Sequence, residues 1–182
     1  MSDTIVTSFC RMNPLTRGHE LLIKKMKEIA KEEYGDYCLF LSKKEGDVKN
    51  PLTLPEKFYF ISKVFPLLRI ASAKDIWQVL DYYAECKYRY ERIILLAGSD
   101  RFEEFRTVLH RYNESMGYPF KEISVRCIGD RIGGAGLKSI SGTKMREAVM
   151  DNNWIAYWQM TPTNMTYEIA QEMFKKLRYK LH

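Results

Sequence analysis

The sequence predicts a doubly wound α/β fold, in which helices cover both faces of a parallel sheet. Five short apolar runs alternate with four segments whose apolar residues recur at helical spacing. The runs are apolar throughout rather than at alternate positions, as expected for parallel strands that are buried on both faces. We therefore expect a Rossmann-like, five-stranded parallel sheet. The 182 residues suit a single domain, 1–182, with a helical extension from about residue 150.

Each element has its own signal along the chain. TIVTSFC (4–10) reads as the first strand, and the helical segment 18–33 carries Leu22, Ile23 and Met26 on one face. DYCLFLS (36–42) is the second strand, a polar loop follows over 43–51, and Pro55 suits the first turn of the next helix. The remaining elements are predicted as strands at 67–72, 92–98 and 122–129, and helices at 74–86, 101–116, 142–151 and 164–181.

Composition narrows the functional classes without selecting one. There are 29 Lys and Arg residues against 23 Asp and Glu, a formal charge of +6. This excess fits a phosphate-bearing ligand, a nucleic acid or a solvated basic surface. The four cysteines are far apart with no CxxC pair, so no zinc site is expected. With no signal peptide and no apolar run of about 20 residues, a cytoplasmic protein without membrane contact is expected.

The segment SFCRMNPLTRGH lies where an open α/β sheet binds its ligand, after the first strand. Thr16 and His19 are three residues apart, so both lie on one face of the first turn of the helix. Unpaired N–H groups and the dipole at a helix start favour an anion, and Gly18 would let a ligand approach the backbone. The alternative is an N-cap threonine with a histidine packed against the sheet.

A second segment, LKSISGTKMREAV, also contains a helix start that could bind an anion. Ser141 or Thr143 can cap a helix, while Lys144 and Arg146 lie in its first turn, where basic residues oppose the helix dipole. A phosphate between the helix start and Arg146 would compensate, because the guanidinium fork fits phosphate oxygens. The alternative is an ordinary capped helix with solvated charges.

Together the two segments resemble the signatures of the nucleotidylyltransferase superfamily, (H/T)xGH and (S/I)SxTxxR. Here they read Thr16-Arg17-Gly18-His19 and Ile140 to Arg146, in the same order and separated by the same strand–helix alternation. The resemblance implies a direct displacement in which an acceptor phosphate attacks the α-phosphorus of a nucleoside triphosphate. It implies Mg²⁺ held mostly by phosphates and water, with no protein metal ligands.

Smaller matches are similar to the nicotinamide-mononucleotide adenylyltransferase branch. NPLT (50–53) with Lys57 resembles its NPFT-like tetrad and following basic residue. KDIW (74–77) resembles its Asp-Ile segment with a downstream Trp, and LLAGSD (95–100) its strand ending in Gly-x-Asp. Cys10 and Met12 depart from the glycine and the aromatic residue that the family has. The branch implies ATP and nicotinamide mononucleotide as substrates, and NAD and pyrophosphate as products.

The resemblance implies a role for each matched residue. The catalytic residues are His19, Thr16 and Arg146. The nucleotide-binding residues are Phe9, Cys10, Arg11, Met12, Gly18, Gly98, Asp100, Ile140, Ser141 and Thr143. The acceptor-binding residues are Asn13, Lys43, Lys44, Asn50, Lys57 and Trp77. Three roles have simpler alternatives: Asp100 also suits a helix cap, the lysines a solvated run, and Trp77 a core position.

Other functions stay open at this point. NPLTRGHELLI is also similar to the start of phosphopantetheine adenylyltransferase, and a cytidylyltransferase is a weaker fit. Cys10 keeps open a nucleotide-binding protein without catalysis. The basic tail KKLRYKLH has no RNP-like or helix-turn-helix signal, so nucleic-acid binding is not expected. The sequence leaves the oligomeric state open, a homo-oligomer included.

Overall fold

The protein is described by a computed structural model that covers residues 2–86, 90–115, 117, 119–128 and 140–182. Its strands are β1 (Thr4–Cys10), β2 (Asp36–Ser42), β3 (Ile70–Ala73), β4 (Arg92–Ala97) and β5 (Glu122–Cys127). Its helices are α1 (Arg17–Glu32), α2 (Leu54–Val64), α3 (Ile76–Ala84), α4 (Ser99–Ser115), α5 (Gly142–Met150), α6 (Trp154–Met160) and α7 (Tyr167–Leu181).

The five strands form one parallel sheet in the order β3-β2-β1-β4-β5. Strand β1 lies at the centre, where Val6 pairs with Tyr37 of β2 on one side and Ile94 of β4 on the other. The strand order changes direction between β1 and β4, which makes the carboxyl ends of these two strands the switch point of the sheet. The predicted five-stranded, doubly wound fold is confirmed.

Two apolar clusters cover the two faces of the sheet. Because successive side chains of a strand point to opposite faces, Ile5 and Val6 belong to different clusters although both are buried. Val6 packs with residues of α1, α2 and the C-terminal helices, whereas Ile5 packs with residues of α3 and α4. This arrangement explains why the strands are apolar throughout.

The third strand is shorter than predicted. It begins at Ile70 rather than at residue 67, because residues 65–68 form a turn in which the Leu68 N–H bonds the Phe65 carbonyl at 3.0 Å. Leu67 has 85% of its surface exposed, so its apolar character misled the prediction.

Helix α6 was not predicted, since WIAYWQM is apolar all round and shows no helical period. Its signal was the preceding Asn153, whose side chain accepts the Ala156 N–H at 3.0 Å. Tyr157 of α6 is fully buried and donates to the Ala170 carbonyl at 3.3 Å. The C-terminal extension is therefore part of the core.

The segment between α6 and α7 also holds the first turn of α1. The buried Glu20 accepts from both the N–H, at 2.8 Å, and the hydroxyl of Thr163. Arg17 Nε donates to the Thr161 carbonyl at 3.3 Å. These contacts fix the turn in which Thr16 and His19 lie. Within the described residues, no helix is both long enough and apolar enough to span a bilayer.

Candidate functional site

The first turn of α1 contains a hydrogen-bonded pair formed by Thr16 and His19. Thr16 is the N-cap residue, and its backbone N–H donates to His19 Nδ1 at 3.0 Å. His19 thus takes the place that Glu or Gln has in a capping box. A backbone N–H can only donate, so Nδ1 must accept, and we assign the ring proton to Nε2 from this hydrogen bond. The cap therefore holds a neutral imidazole whose Nε2–H is a hydrogen-bond donor.

Gly18 lies in the same turn, and the packing of the described residues does not require a glycine there. Apart from its own turn of helix, an added Cβ would have one neighbour within 4 Å, Thr16 Oγ1 at an ordinary 3.5 Å. At Gly35, by contrast, a Cβ would lie 3.0 Å from the Thr4 carbonyl oxygen. Position 18 thus leaves space beside backbone N–H groups at a helix start, which is a favourable place for an anion.

The start of α5 supplies a cationic group. Ser141 is the N-cap residue, and its Oγ accepts the Lys144 N–H at 3.1 Å. Arg146 Nη2 donates to Thr143 Oγ1 at 3.1 Å, and Nη1 donates to the Asn13 backbone carbonyl at 2.9 Å. The second bond joins residues 133 apart in the sequence. It brings the two predicted motifs together just after β1.

The side chain of Asn13 bonds another loop of the protein. Both polar atoms of its buried side chain bond the backbone of Leu52, with Nδ2 2.8 Å from the carbonyl oxygen and Oδ1 2.9 Å from the amide nitrogen. The loop after β1 is therefore attached to the β2–α2 loop, residues 43–53. The structure uses the amide of Asn13 inside the protein, whereas the sequence assigned it to the acceptor.

Lys57 also turns inward, to the β2–α2 loop. It is 1% exposed, and its Nζ donates to the backbone carbonyls of Ser42, at 2.5 Å, and Lys44, at 3.0 Å. Burial lowers the pKa of Lys57, and the charge of Glu45 acts in the opposite direction. The ammonium group that the sequence assigned to a ligand phosphate thus holds the loop to α2.

Asp47 and Asn50 shape the tip of this loop. Asn50 Nδ2 donates to Asp47 Oδ1 at 3.0 Å and Oδ2 at 3.1 Å. The bonds from Asn50, led by that of its side chain, lower the pKa of Asp47. Asn50 Oδ1 is buried and has no hydrogen-bond partner within the described residues. Sequence analysis did not predict a role for Asp47, although its Asp-x-x-Asn spacing is typical of an Asx turn.

Charges of both signs surround Arg146. Burial first, and then the neighbouring charge of Arg11, lower the pKa of Arg146, while Glu147 and Asp47 act in the opposite direction. Two guanidinium groups that repel each other are stabilised when an anion lies between them. An anion beside Arg11 and Arg146 would therefore relieve their repulsion.

The other residues predicted to bind the nucleotide lie at the carboxyl edge of the sheet. Phe9 and Cys10 end β1 and are partly buried, with Cys10 Sγ 3.5 Å from Ser8 Oγ. Met12 follows with its side chain buried and a left-handed φ of 44°, a conformation that costs energy in a residue other than glycine. Ile140 is buried in the core just before α5.

Gly98 and Asp100 follow β4. The Gly98 carbonyl accepts the N–H groups of Arg101 and Phe102, both at 3.0 Å, so α4 begins directly after Gly98. Asp100 consequently lies inside the first turn of α4 rather than at its cap. Its side chain lies outside the described part of the structure.

The predicted acceptor residues differ in exposure. Lys43 and Lys44 are exposed at the end of β2, and the Lys43 N–H bonds the Ala73 carbonyl of β3 at 3.0 Å. Trp77 lies in the first turn of α3, partly buried against the apolar cluster of the α3–α4 face. Asn13, Asn50 and Lys57 are buried around the β2–α2 loop. Within the described residues, no group of three His, Cys, Asp or Glu side chains could hold a metal ion.

The comparisons with known proteins identify the fold. No protein-family model and no curated protein sequence matches the chain. Among solved structures, it is similar to the nicotinic acid mononucleotide adenylyltransferase of Plasmodium falciparum in complex with NaAD. The TM-score is 0.63 at 14% identity, over 94% of this chain and 97% of that one. The chain shares its fold with this adenylyltransferase.

Two further structures agree with that result. One is a bifunctional NMN adenylyltransferase/ADP ribose pyrophosphatase from Francisella tularensis, with a TM-score of 0.64 at 14% identity over 100% of this chain and 53% of that one. The other is TmcAL of Thermotoga maritima bound with alpha-thio ATP, with a TM-score of 0.52 at 12% identity over 97% of this chain and 55% of that one. The resemblance found in the sequence is thus confirmed at the level of the fold.

Hydrogen exchange tests whether the Lys57 ammonium group holds the β2–α2 loop or is available to bind a ligand phosphate. Replacing Lys57 with Met keeps most of the side-chain stem but leaves the Ser42 and Lys44 carbonyls without their donor. An unpaired buried polar group costs about 1–3 kcal/mol, so we expect amides of residues 43–53 to exchange at least about tenfold faster. Amides of α5 serve as the internal control. Unchanged exchange in the loop would mean that the ammonium group does not hold it.

Proposed function

We propose that this protein is an adenylyltransferase that transfers AMP from ATP to nicotinamide mononucleotide and releases pyrophosphate. The observation that carries the proposal is the hydrogen bond from Arg146 to the Asn13 carbonyl. It attaches the arginine of one motif to the loop that leads from β1 into the helix of the other, at the switch point where α/β sheets bind nucleotides. The fold shared with two adenylyltransferases supports the same conclusion.

The reaction is a direct displacement at phosphorus. An oxygen of the acceptor phosphate attacks the α-phosphorus of ATP and forms a new P–O bond. The bond from the α-phosphorus to the oxygen that bridges to the β-phosphorus breaks, and pyrophosphate leaves with that electron pair. No covalent enzyme intermediate is needed, so the contribution of the protein is to position the phosphates and stabilise their charge.

The α-phosphate is bound by His19, whose ring is positioned by Thr16. Since Nδ1 is occupied by the Thr16 N–H, His19 presents Nε2–H, which can donate to a non-bridging α-phosphate oxygen as charge develops on it. Thr16 holds the ring in this tautomer through its backbone. This role needs a neutral imidazole that donates a hydrogen bond, and no proton transfer is required.

The leaving pyrophosphate is bound by Arg146, Arg11 and the start of α5. The guanidinium of Arg146 is held in place by the Asn13 carbonyl and the Thr143 hydroxyl. Arg11 adds a second positive charge nearby, as its effect on the pKa of Arg146 indicates. Mg²⁺ enters as part of the substrate, MgATP, because this ion prefers phosphate oxygens and water.

The proposal also names the acceptor of AMP, nicotinamide mononucleotide. Lys43 and Lys44 are exposed at the end of β2 and can meet its phosphate. Trp77 is partly buried at the same edge of the sheet and offers an aromatic surface for a nicotinamide ring. Two of the structurally similar proteins are named for nicotinic acid mononucleotide and NMN. These observations support a pyridine mononucleotide over phosphopantetheine.

An acceptor panel tests the activity directly. Pyrophosphate release would be followed with ATP or CTP and with nicotinamide mononucleotide, nicotinic acid mononucleotide or phosphopantetheine. We expect release with ATP and a pyridine mononucleotide. Release with phosphopantetheine alone would contradict the acceptor, and ATP binding without release would indicate a nucleotide-binding protein, the alternative that Cys10 suggests.

Replacing His19 with Ala should abolish most of the turnover while leaving the protein folded. Loss of one preorganised donor to a transition-state oxygen costs about a hundred- to a thousandfold in rate. Turnover would be measured as pyrophosphate release, with thermal unfolding as the control for the fold. Near wild-type turnover in the variant would overturn the transferase proposal.

Replacing Gly18 with Ala should stabilise the protein and weaken ATP binding. Alanine in place of a helical glycine contributes about 0.5–1 kcal/mol to stability, and its Cβ would lie where we expect the nucleotide to approach. Urea unfolding and titration with ATP measure the two effects. The matched control is Gly35→Ala, which should lower stability and leave ATP affinity unchanged. A stabilised Gly18 variant with normal ATP affinity would place the nucleotide elsewhere.

Replacing Trp77 with Ala should weaken acceptor binding more than ATP binding. Stacking of a nicotinamide ring on the indole contributes about 0.5–1.5 kcal/mol beyond burial, and the positive ring adds a cation–π contribution. Calorimetric titration of both ligands would measure the difference. Trp158→Ala, in a partly buried tryptophan of α6, is the control. An equal loss of both affinities would mean that Trp77 has a packing role.

A further inference from the structure

We infer that Asn13 is a positioning residue, which fixes the distance between Arg146 and the β2–α2 loop through its backbone carbonyl and its side-chain amide. The inference rests on the proposed function, in which Arg146 binds the leaving pyrophosphate and the β2–α2 loop borders the acceptor. It differs from the role that the sequence assigned to Asn13, which was contact with the acceptor itself.

The side-chain amide of Asn13 makes a paired contact with one residue. Its Oδ1 and Nδ2 bond the N–H and the C=O of Leu52 at 2.9 and 2.8 Å, so the side chain replaces a neighbouring strand. Asn13 is 4% exposed and Leu52 is 1% exposed. Because water has little access to these groups, losing the amide would leave two backbone groups of Leu52 unpaired.

The backbone carbonyl of Asn13 fixes Arg146 from the other side. Arg146 Nη1 lies 2.9 Å from this oxygen. Gly142, the first residue of α5, packs directly beside the bond, since an added Cβ would lie 3.2 Å from Arg146 Nη1 and 3.7 Å from the Asn13 oxygen. A shift of the Asn13 backbone would therefore move the guanidinium or break its hydrogen bond.

One residue thus contacts both halves of the proposed site. The displacement requires the acceptor oxygen within about 3–3.5 Å of the α-phosphorus, and a misplacement of about 1 Å can cost a hundredfold in rate. Arg146 holds the β- and γ-phosphates, while the loop that contains Leu52 borders the acceptor. The amide and the carbonyl of Asn13 set the separation of the two groups.

The test is a double-mutant cycle of Asn13→Ala and Arg146→Ala. ATP affinity would be measured by calorimetric titration, and turnover by pyrophosphate release. We expect Asn13→Ala to weaken ATP binding and to lower kcat by about ten- to a hundredfold in the wild-type background. When Arg146 is already Ala, we expect the effect of Asn13→Ala on ATP affinity to fall below about threefold. Asn164→Ala is the matched control, because Asn164 Nδ2 also bonds a backbone carbonyl, that of Val64 at 2.7 Å, outside the site.

Each result decides between positioning and a purely structural role. Equal losses in both backgrounds, or a lowered melting temperature with normal ATP affinity and kcat, would overturn the inference. If Asn13→Ala does not fold, Asn13→Asp is measured instead, since it keeps the acceptor for the Leu52 N–H. If the wild type binds ATP but transfers to no acceptor, the proposed function fails, and the cycle in ATP affinity still decides the role of Asn13.

Discussion

The structure depends most on the position of β1, which is hydrogen-bonded on both sides at the centre of a parallel sheet. Strands β2 and β3 lie on one side of β1, and β4 and β5 lie on the other. The segments that follow β1 and β4 therefore lead away from each other and leave a crevice at the carboxyl edge of the sheet. The start of α5 contacts the segment between β1 and α1 at this opening. The position of Arg146 therefore depends on the residues that follow β1.

Helix capping then determines what chemistry these groups can perform. In most helices the N-cap pair satisfies backbone donors and has no further role. Here the third residue of α1 is a histidine, so the bond that completes the cap also selects its tautomer. At α5 the cap residue Ser141 orders a turn whose arginine reaches the loop after β1. Local helix geometry therefore supplies one neutral donor at the start of α1 and one cation at the start of α5.

The sequence predicted well the features that depend on local pattern. The bounds of β2 are the predicted ones, because DYCLFLS lies between clear turn residues, and both motifs lie at helix starts as predicted. The prediction failed at Leu67, which is apolar but exposed, and in α6, whose apolar residues show no helical spacing. It also missed the partners of Asn13 and Lys57, because these are backbone groups 39 and 15 residues away. A sequence pattern does not show which carbonyl a buried amide or ammonium will meet.

The basic residues of the site consequently fall into two classes that the sequence does not distinguish. Lys57 satisfies two backbone carbonyls and is almost fully buried, so its charge contributes to holding the β2–α2 loop. Lys43, Lys44 and Arg11 are exposed, and Arg146 is only partly buried, so their charges can reach a phosphate. In the proposed reaction, exposed cations would meet a polyphosphate whose negative charge increases on the leaving group. The support for that proposal comes from which cations are exposed, more than from the net charge of the chain.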